Sequence, residues 1–299
     1  MIRNRLNVLF FLSLLPFSLF VPSCRASNLL LCGGAQVIEA EVTQVAGKPA
    51  LREVWHWRPE ESDGLPVPLM RKFVTTDDCK AVSQGSEILI TSSGDAVALV
   101  SHTTGRTLFY ATVKNAHSAE LLPSGLIAVA SSSDPAGNGD RLLLFDRHKS
   151  EEPLVSLPLE AAHGVVWDSK RDVLWALGGK ELQRLHLDTS ASTPHLVMER
   201  TVPLPAREGH DLQLAEDAGA LYVTNTKTVF QVDPEHLTFK PFQPFTGLSG
   251  IKSLSIHPKS GQIAYTSADP GVWWTYTLRF LNPGEQIVLP DMIYKVRWF

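Results

Sequence analysis

Three histidines, His117, His163 and His210, recur at intervals of forty-odd residues, each at the start of a short strand-like apolar run. Imidazole is the side chain whose ordinary pKa lies nearest neutrality, it both donates and accepts hydrogen bonds, and it is a frequent ligand for zinc and other transition metals. Three imidazoles delivered to one place, with a carboxylate from Asp78, have the donor set for a divalent transition metal with room for water. Without metal, the same group flanked by Lys252 and Lys295 suits a small polar or anionic ligand, or serves as general acid and base. A fourth reading is architectural: a repeat duplicates structural residues as readily as functional ones, and each histidine then caps the entry to its strand. The choice depends on whether the fold brings the three together.

The elements that would position them form a repeat. One phrase, an apolar run, then small or polar residues, then a second apolar run, occurs six times. The copies begin at Asn28, Glu87, Leu126, Val173, Ala220 and Gln262, and each reads as a β-hairpin. A further short strand ended by a turn precedes five of them, as in His117-Ser-Ala-Glu-Leu-Leu before Pro123-Ser-Gly125. A fourth segment such as Thr107-Leu-Phe-Tyr-Ala follows most. Four short strands per unit, six units and no helical periodicity define an all-β, six-bladed β-propeller of four-stranded antiparallel blades.

The ends of the chain close it. The first hairpin lacks an inner strand, and Ile293-Tyr-Lys-Val-Arg-Trp-Phe299 alternates like one with nothing after it. The C-terminal strand is therefore expected to complete the first blade, with Lys295 beside Leu30, which removes open sheet edges.

Propeller geometry turns the repeat into a map of one face. The starts of the inner strands give a ring of Asp78, His117, His163, His210, Lys252 and Lys295. The hairpin loops on the same face give Gly33, Gly34, Ser92, Ser93, Ser132, Ser133, Gly178, Gly179, Asn225 and Ser267, small residues that either admit a ligand to the backbone or simply make tight turns. Glu120 and Trp167 follow along the inner strands and are expected to line the channel, and Trp273, beside Trp274, offers an indole for stacking on a sugar. Ser131–Asp140 is long and polar enough to cover the face. His56, His102, His148, His186, His195 and His257 have no such register and read as surface or loop residues, and the adjacent Glu60 and Glu61 read as solvated charge.

Residues 1–26 read as a signal peptide, with Arg3 and Arg5 before an apolar run from Leu6 to Val21 that is short for a membrane span, and residues 27–299 as a single propeller domain. Two processing readings stay open: cleavage after Ala26, or a lipid anchor at Cys24. Either makes the protein secreted or periplasmic, with no transmembrane span in the mature chain. Cys32 and Cys79 then have the option of a disulfide, or are buried free thiols in strand-like runs. A net charge of −4 with no basic stripe argues against nucleic acid, and a monomer is expected. There is no G-x-S-x-G, H-E-x-x-H, Walker loop or paired C-x-x-C.

The phrases Leu29-Leu-Leu-Cys-Gly-Gly, Ala162-His-Gly-Val-Val-Trp-Asp168, Gly209-His-Asp-Leu-Gln213 and Trp273-Trp-Thr resemble an uncharacterised family of exported bacterial six-bladed propellers within the WD-repeat and YVTN-like superfold. That resemblance implies the fold and export and carries no activity. His117-Ser-Ala-Glu-Leu-Leu-Pro-Ser-Gly125 is also similar to the repeat phrase of arylsulfotransferase-type propellers, and a metal-binding histidine cluster is similar to oligogalacturonate lyases. Three functional expectations follow: a module binding a carbohydrate or other small polar ligand at the histidine face, a metal-assisted or histidine-based lyase or hydrolase of glycans, and a protein interaction scaffold whose histidines are structural.

Overall fold

Runs such as Leu29-Leu-Leu-Cys32 and Val173-Leu-Trp-Ala-Leu177 are apolar at every position rather than every second one, the pattern of strands covered on both faces. In the computed structural model, which describes residues 28–215 and 219–299, these runs are buried throughout and lie inside six four-stranded antiparallel sheets. The segment read as a signal peptide and Cys24 lie outside the described residues.

Each sheet is a blade. The second comprises β4 (Thr76–Val82), β5 (Glu87–Ser92), β6 (Ala96–Ser101) and β7 (Thr107–Ala111). The third runs from β8 (Ala116–Leu122) through β9 (Leu126–Ser131) and β10 (Arg141–Asp146) to β11 (Pro153–Pro158). The fourth contains β12 (Gly164–Asp168), β13 (Val173–Leu177), β14 (Glu181–Asp188) and β15 (His195–Pro203). The fifth contains β16 (Gly209–Ala215), β17 (Ala220–Asn225), β18 (Val229–Asp233) and β19 (Thr238–Pro241), and the sixth β20 (Ile251–Ile256), β21 (Ile263–Ser267), β22 (Thr275–Leu281) and β23 (Glu285–Ile293). The first blade takes β1 (Asn28–Gly33), β2 (Gln36–Val45) and β3 (Lys48–Trp57) from one end of the chain and β24 (Lys295–Trp298) from the other.

β24 pairs antiparallel with β1, setting Trp298 opposite Leu29, Arg297 opposite Leu30, Val296 opposite Leu31 and Lys295 opposite Cys32. The closure is the expected one, but Leu30 faces Arg297 rather than Lys295. Closing the ring this way pairs every inner strand and hides what would otherwise be two sticky edges.

Burial follows the blades. Six hydrophobic clusters fill the six interfaces between neighbouring blades, including the seam between the last and first, where Ala264, Leu278, Phe280 and Ile293 pack on Leu29, Leu31 and Val296. Outermost strands differ: β15 is mostly exposed, whereas β7 is largely buried. Between blades one and two, a short helix at Val67–Met70 feeds Leu69 and, with its flanks, Leu65 and Phe73 into the cluster that also holds Cys32 and Cys79. Both cysteines are free and buried, so of the two expectations the unpaired one describes the structure. Two positions show why small residues sit in the turns. A Cβ on Gly33 would lie 2.3 Å from the Met292 carbonyl oxygen, and Ser124 and Gly125, between β8 and β9, both adopt positive φ. Among the described residues no helix is long and apolar enough to cross a membrane.

Candidate functional site at the channel mouth

The site begins with an irregularity that the inner strands share. β4, β8, β16 and β20 each open with a β-bulge, between Thr76 and Asp78, Ala116 and Ser118, Gly209 and Asp211, and Ile251 and Ser253. A bulge inserts one residue that has no partner on the next strand and re-aims its side chain. The inserted residues are Asp77, His117, His210 and Lys252. His163 stands just before β12, its N–H donating to the Leu177 carbonyl, and Tyr294 stands just before β24, its N–H donating to the Cys32 carbonyl. The ring at the mouth is therefore Asp77, His117, His163, His210, Lys252 and Tyr294.

The three imidazoles do meet. His117 and His163 lie edge to face with ring centres 4.3 Å apart, and His163 and His210 follow at 5.7 Å. Asp77 Oδ1 is 3.6 Å from His117 Nδ1 at one end of the row, and at the other Lys252 Nζ is 3.0 Å from His210 Nε2. Tyr294 continues the rim, 6.2 Å from the His117 ring, and Trp273 packs edge-on to Tyr294 at 5.1 Å. Trp273 thus reaches the histidine face, as expected of it.

Hydrogen bonding fixes how the rings present themselves. Nδ1 of His163 donates to the Ala161 carbonyl at 2.8 Å, with Ser132 Oγ at 3.3 Å. An ammonium has only donors, so His210 accepts from Lys252 through Nε2 and carries its proton on Nδ1. Thr226 Oγ1, which donates to Glu208, lies 3.1 Å from the same Nε2. Nδ1 of His117 and Nδ1 of His210 are buried with no protein partner.

Charge follows burial. Desolvation, with the neighbouring cations behind it, holds His163 down to about 4 and His210 down to about 2, and pushes His117 well below the usual histidine range. All three are neutral at pH 7. Burial also lowers Lys252. It raises the Asp77 carboxyl to about 7 against the opposing hydrogen bonds from Ser93 and the charge of Lys295. Among the described residues no group of three or more His, Cys, Asp or Glu side chains is placed to hold a metal ion. The cage expected of His117, His163, His210 and Asp78 is not formed, because the rings stack edge to face instead of converging and Asp78 is committed elsewhere.

Asp78 and Lys295 belong one layer deeper, where they close the channel. Lys295 is 0% exposed and its Nζ donates to the backbone carbonyls of His117 and His163, each at 3.1 Å, with Asp211 Oδ1 at 3.4 Å. Arg297 donates to both oxygens of Asp211, at 2.7 and 2.8 Å, and lies 2.8 Å from Asp78 Oδ1. Ser118 Oγ donates to Asp78 Oδ2 at 2.7 Å. Burial alone would raise Asp78, but Arg297, then Lys295 and Lys80, outweigh it and bring the carboxyl to about 2. Two carboxylates and two cations thus plug the axis.

Glu120 and Trp167 lie beyond that plug, at the opposite mouth. There Glu120 accepts from Lys80 Nζ at 3.0 Å, and Trp167 borders a cleft with Gln213, Ser255, Arg297 and Trp298. The residues expected to share one pocket occupy two.

The sequence matches the profile of a family of unknown function over residues 36–299. The chain belongs to DUF6528. No curated protein matches it. Among solved structures, the DUF6528 chain is similar to one in the "Crystal structure of Nidogen/Laminin Complex", with a TM-score of 0.60 and 11% sequence identity, covering 91% of this chain and 98% of that one. At that identity the likeness speaks for the propeller fold alone.

Several DUF6528 residues at the channel escape a reading that takes one residue per repeat. Asp77, Tyr294, Asp211 and Arg297 are charged or polar groups beside residues already singled out. Aligning Asp77-Asp78 and Tyr294-Lys295 on His210-Asp211 exposes the one-residue offset, with the first of each pair at the mouth and the second in the plug. The loop residues divide. Ser132 touches His163, and Ser93 N–H bonds Asp77, whereas Asn225 Oδ1 accepts from Lys227 and Thr228 N–H, closing its turn, and its Nδ2 donates to the Ala206 carbonyl. Gly178 and Gly179 have no room for a Cβ beside Leu159, Glu160 and Ala161, a packing reason for glycine. The Ser131–Asp140 loop is pinned to itself, Ser133 Oγ and the Asp140 N–H both bonding within it. Of the histidines assigned to the surface, His257 is instead buried, its Nδ1 accepting from Lys259 and Ser260 N–H, and His102 pairs with Glu39 at 2.6 Å.

Proposed function

We propose that this DUF6528 protein is an exported binding module that holds a small polar ligand, a carbohydrate, at the mouth lined by His117, His163 and His210. The observation that carries the reading is the row of neutral imidazoles at a half-buried mouth, with the buried Nδ1 atoms of His117 and His210 making no hydrogen bond to the protein. Buried polar atoms are seldom left unpaired, and hydroxyl groups, which donate and accept, suit neutral imidazoles that do the same. Lys252 adds one directed donor, and Trp273 an indole whose face is of the kind that packs on sugar C–H groups. Export is supported by the basic and apolar N-terminal segment.

The test is calorimetric titration of the purified mature chain with glucose, N-acetylglucosamine and digalacturonate at neutral pH. Saturable binding to at least one, weakened about tenfold or more by His163→Ala and by Lys252→Ala, supports the reading. Absence of binding to all three, or binding indifferent to both substitutions, overturns it.

One observation favours a second reading, acid–base chemistry on a glycan. Asp77, held at about 7 at the mouth and 3.6 Å from His117 Nδ1, is a carboxyl able to give or take a proton near neutrality. Glycan turnover that disappears in Asp77→Asn while binding persists would move the protein from module to enzyme.

A further inference from the structure

The plug of Asp78, Asp211, Lys295 and Arg297 leaves a second cup on the far side of the propeller. It is a cleft of about 410 Å³, within the range of small-molecule sites. The half-buried indoles of Trp167 and Trp298 line it together with Lys80, Glu120, Gln213 and Ser255. We propose that this far mouth is a second, independent ligand site that takes a neutral, hydroxyl-rich ring, a sugar residue of a glycan, against these indoles.

Charge bookkeeping selects the class. Lys80 bonds Glu120 at 3.0 Å, and Arg297 and Lys295 are matched by Asp78 and Asp211, so each formal charge at the base of the cleft has an opposite partner. No net charge is left to hold an ionic ligand. Unpaired hydrogen-bonding capacity is left. Nε of Arg297, a residue only 5% exposed, and Nε1 of Trp298 are buried without protein partners. Gln213 uses Nε2 on the Leu212 carbonyl, which leaves its amide oxygen, and Glu120 retains its second carboxyl oxygen. Donors and acceptors beside two indoles match a pyranose, whose hydroxyls lie around its edge and whose C–H groups cover its faces. A long aliphatic chain would strand these polar groups, and a phosphate would meet Glu120.

The cleft shares Trp298 with an adjoining one of about 660 Å³ lined by His102, His257, Lys259 and Phe299, so a bound chain has room to continue past its first ring. The inference does not need the histidine mouth to bind anything.

The experiment is a titration of intrinsic tryptophan fluorescence, repeated by calorimetry, with maltotriose, cellotriose, xylotriose and chitotriose, using the mature chain and the variants Trp167→Ala, Gln213→Ala and His163→Ala. The expected result is saturable binding of at least one probe, with a component weakened about tenfold by Trp167→Ala and about threefold or more by Gln213→Ala that persists in His163→Ala. A native melting transition in each variant establishes that it is folded. If Trp167→Ala does not fold, Gln213→Ala decides alone. Silence from all four probes, or binding that survives the far-mouth substitutions, overturns the second site. Binding abolished only by His163→Ala assigns the signal to the histidine mouth, upholding that site and sinking this one.

Discussion

Arg297, on the C-terminal strand, holds both carboxylate oxygens of Asp211 on the fifth blade, at 2.7 and 2.8 Å, while it also lies 2.8 Å from Asp78 on the second. The strand that closes the ring by backbone pairing therefore also ties distant blades together across the axis. A buried ion pair is a weak source of net stability when intact, but severing it leaves a charge without water or partner.

Replacing Arg297 with Met is expected to destabilise the fold by about 3–5 kcal/mol, because Asp211 and Asp78 lose their main counter-charge. Urea unfolding, read as a fall in midpoint at unchanged slope, checks it. A loss below about 1 kcal/mol would mean that the plug relaxes and admits water.

Deleting residues 293–299 removes β24 and exposes the edge of β1. Aggregation or failure to fold is expected. A truncated chain that stays soluble and monomeric by size-exclusion chromatography would contradict closure through the terminal strand.

Asp77 makes stability depend on pH in the opposite sense from an ordinary paired carboxylate. Burial raises its folded pKa from 3.8 to about 7, so its contribution is fully present below about pH 4 and is lost as pH rises through 7, an effect on the order of 4 kcal/mol. Asp77→Asn cannot ionise. Its melting temperature relative to the parent should climb between pH 4 and 8; a constant difference across that interval would show that Asp77 titrates normally.

The histidines act the other way. His163 is held down to about 4 from 6.5 by desolvation first, so its contribution is complete above pH 6.5 and is lost as pH falls from there through 4, on the order of 3 kcal/mol. His163→Gln should lose less stability than the parent between pH 7 and 4.5. Following the His163 ring protons by NMR over the same range reads the pKa directly.

Gly33→Ala is expected to cost a few kcal/mol, since the added Cβ would stand 2.3 Å from the Met292 carbonyl oxygen, a backbone atom at the seam between the last and first blades. Gly47→Ala, where nothing lies near, tests φ strain without that clash and should cost less.

The blades were legible because each hairpin repeats an apolar pattern that only doubly covered strands need, and closure was legible because one end lacked a strand and the other had a spare. The mouth was legible less completely. His117, His163 and His210 announce themselves by type, yet placing Asp78 and Lys295 beside them ignores the bulge that inserts Asp77 and the matching step that brings Tyr294 forward. A bulge shifts register by one residue and leaves little mark in composition. Glu120 and Trp167 lie on the far side of the plug from the histidines, a separation that the sequence does not show because a repeat gives distance along the axis but not where the axis is filled.

That blockage decides what the molecule can be used for. Lys295, fully buried among Asp78, Asp211 and Arg297, separates the two mouths. The two proposed sites would then lie base to base, each reached from its own side, so which of them a ligand meets would depend on which way the disc is turned toward its surroundings.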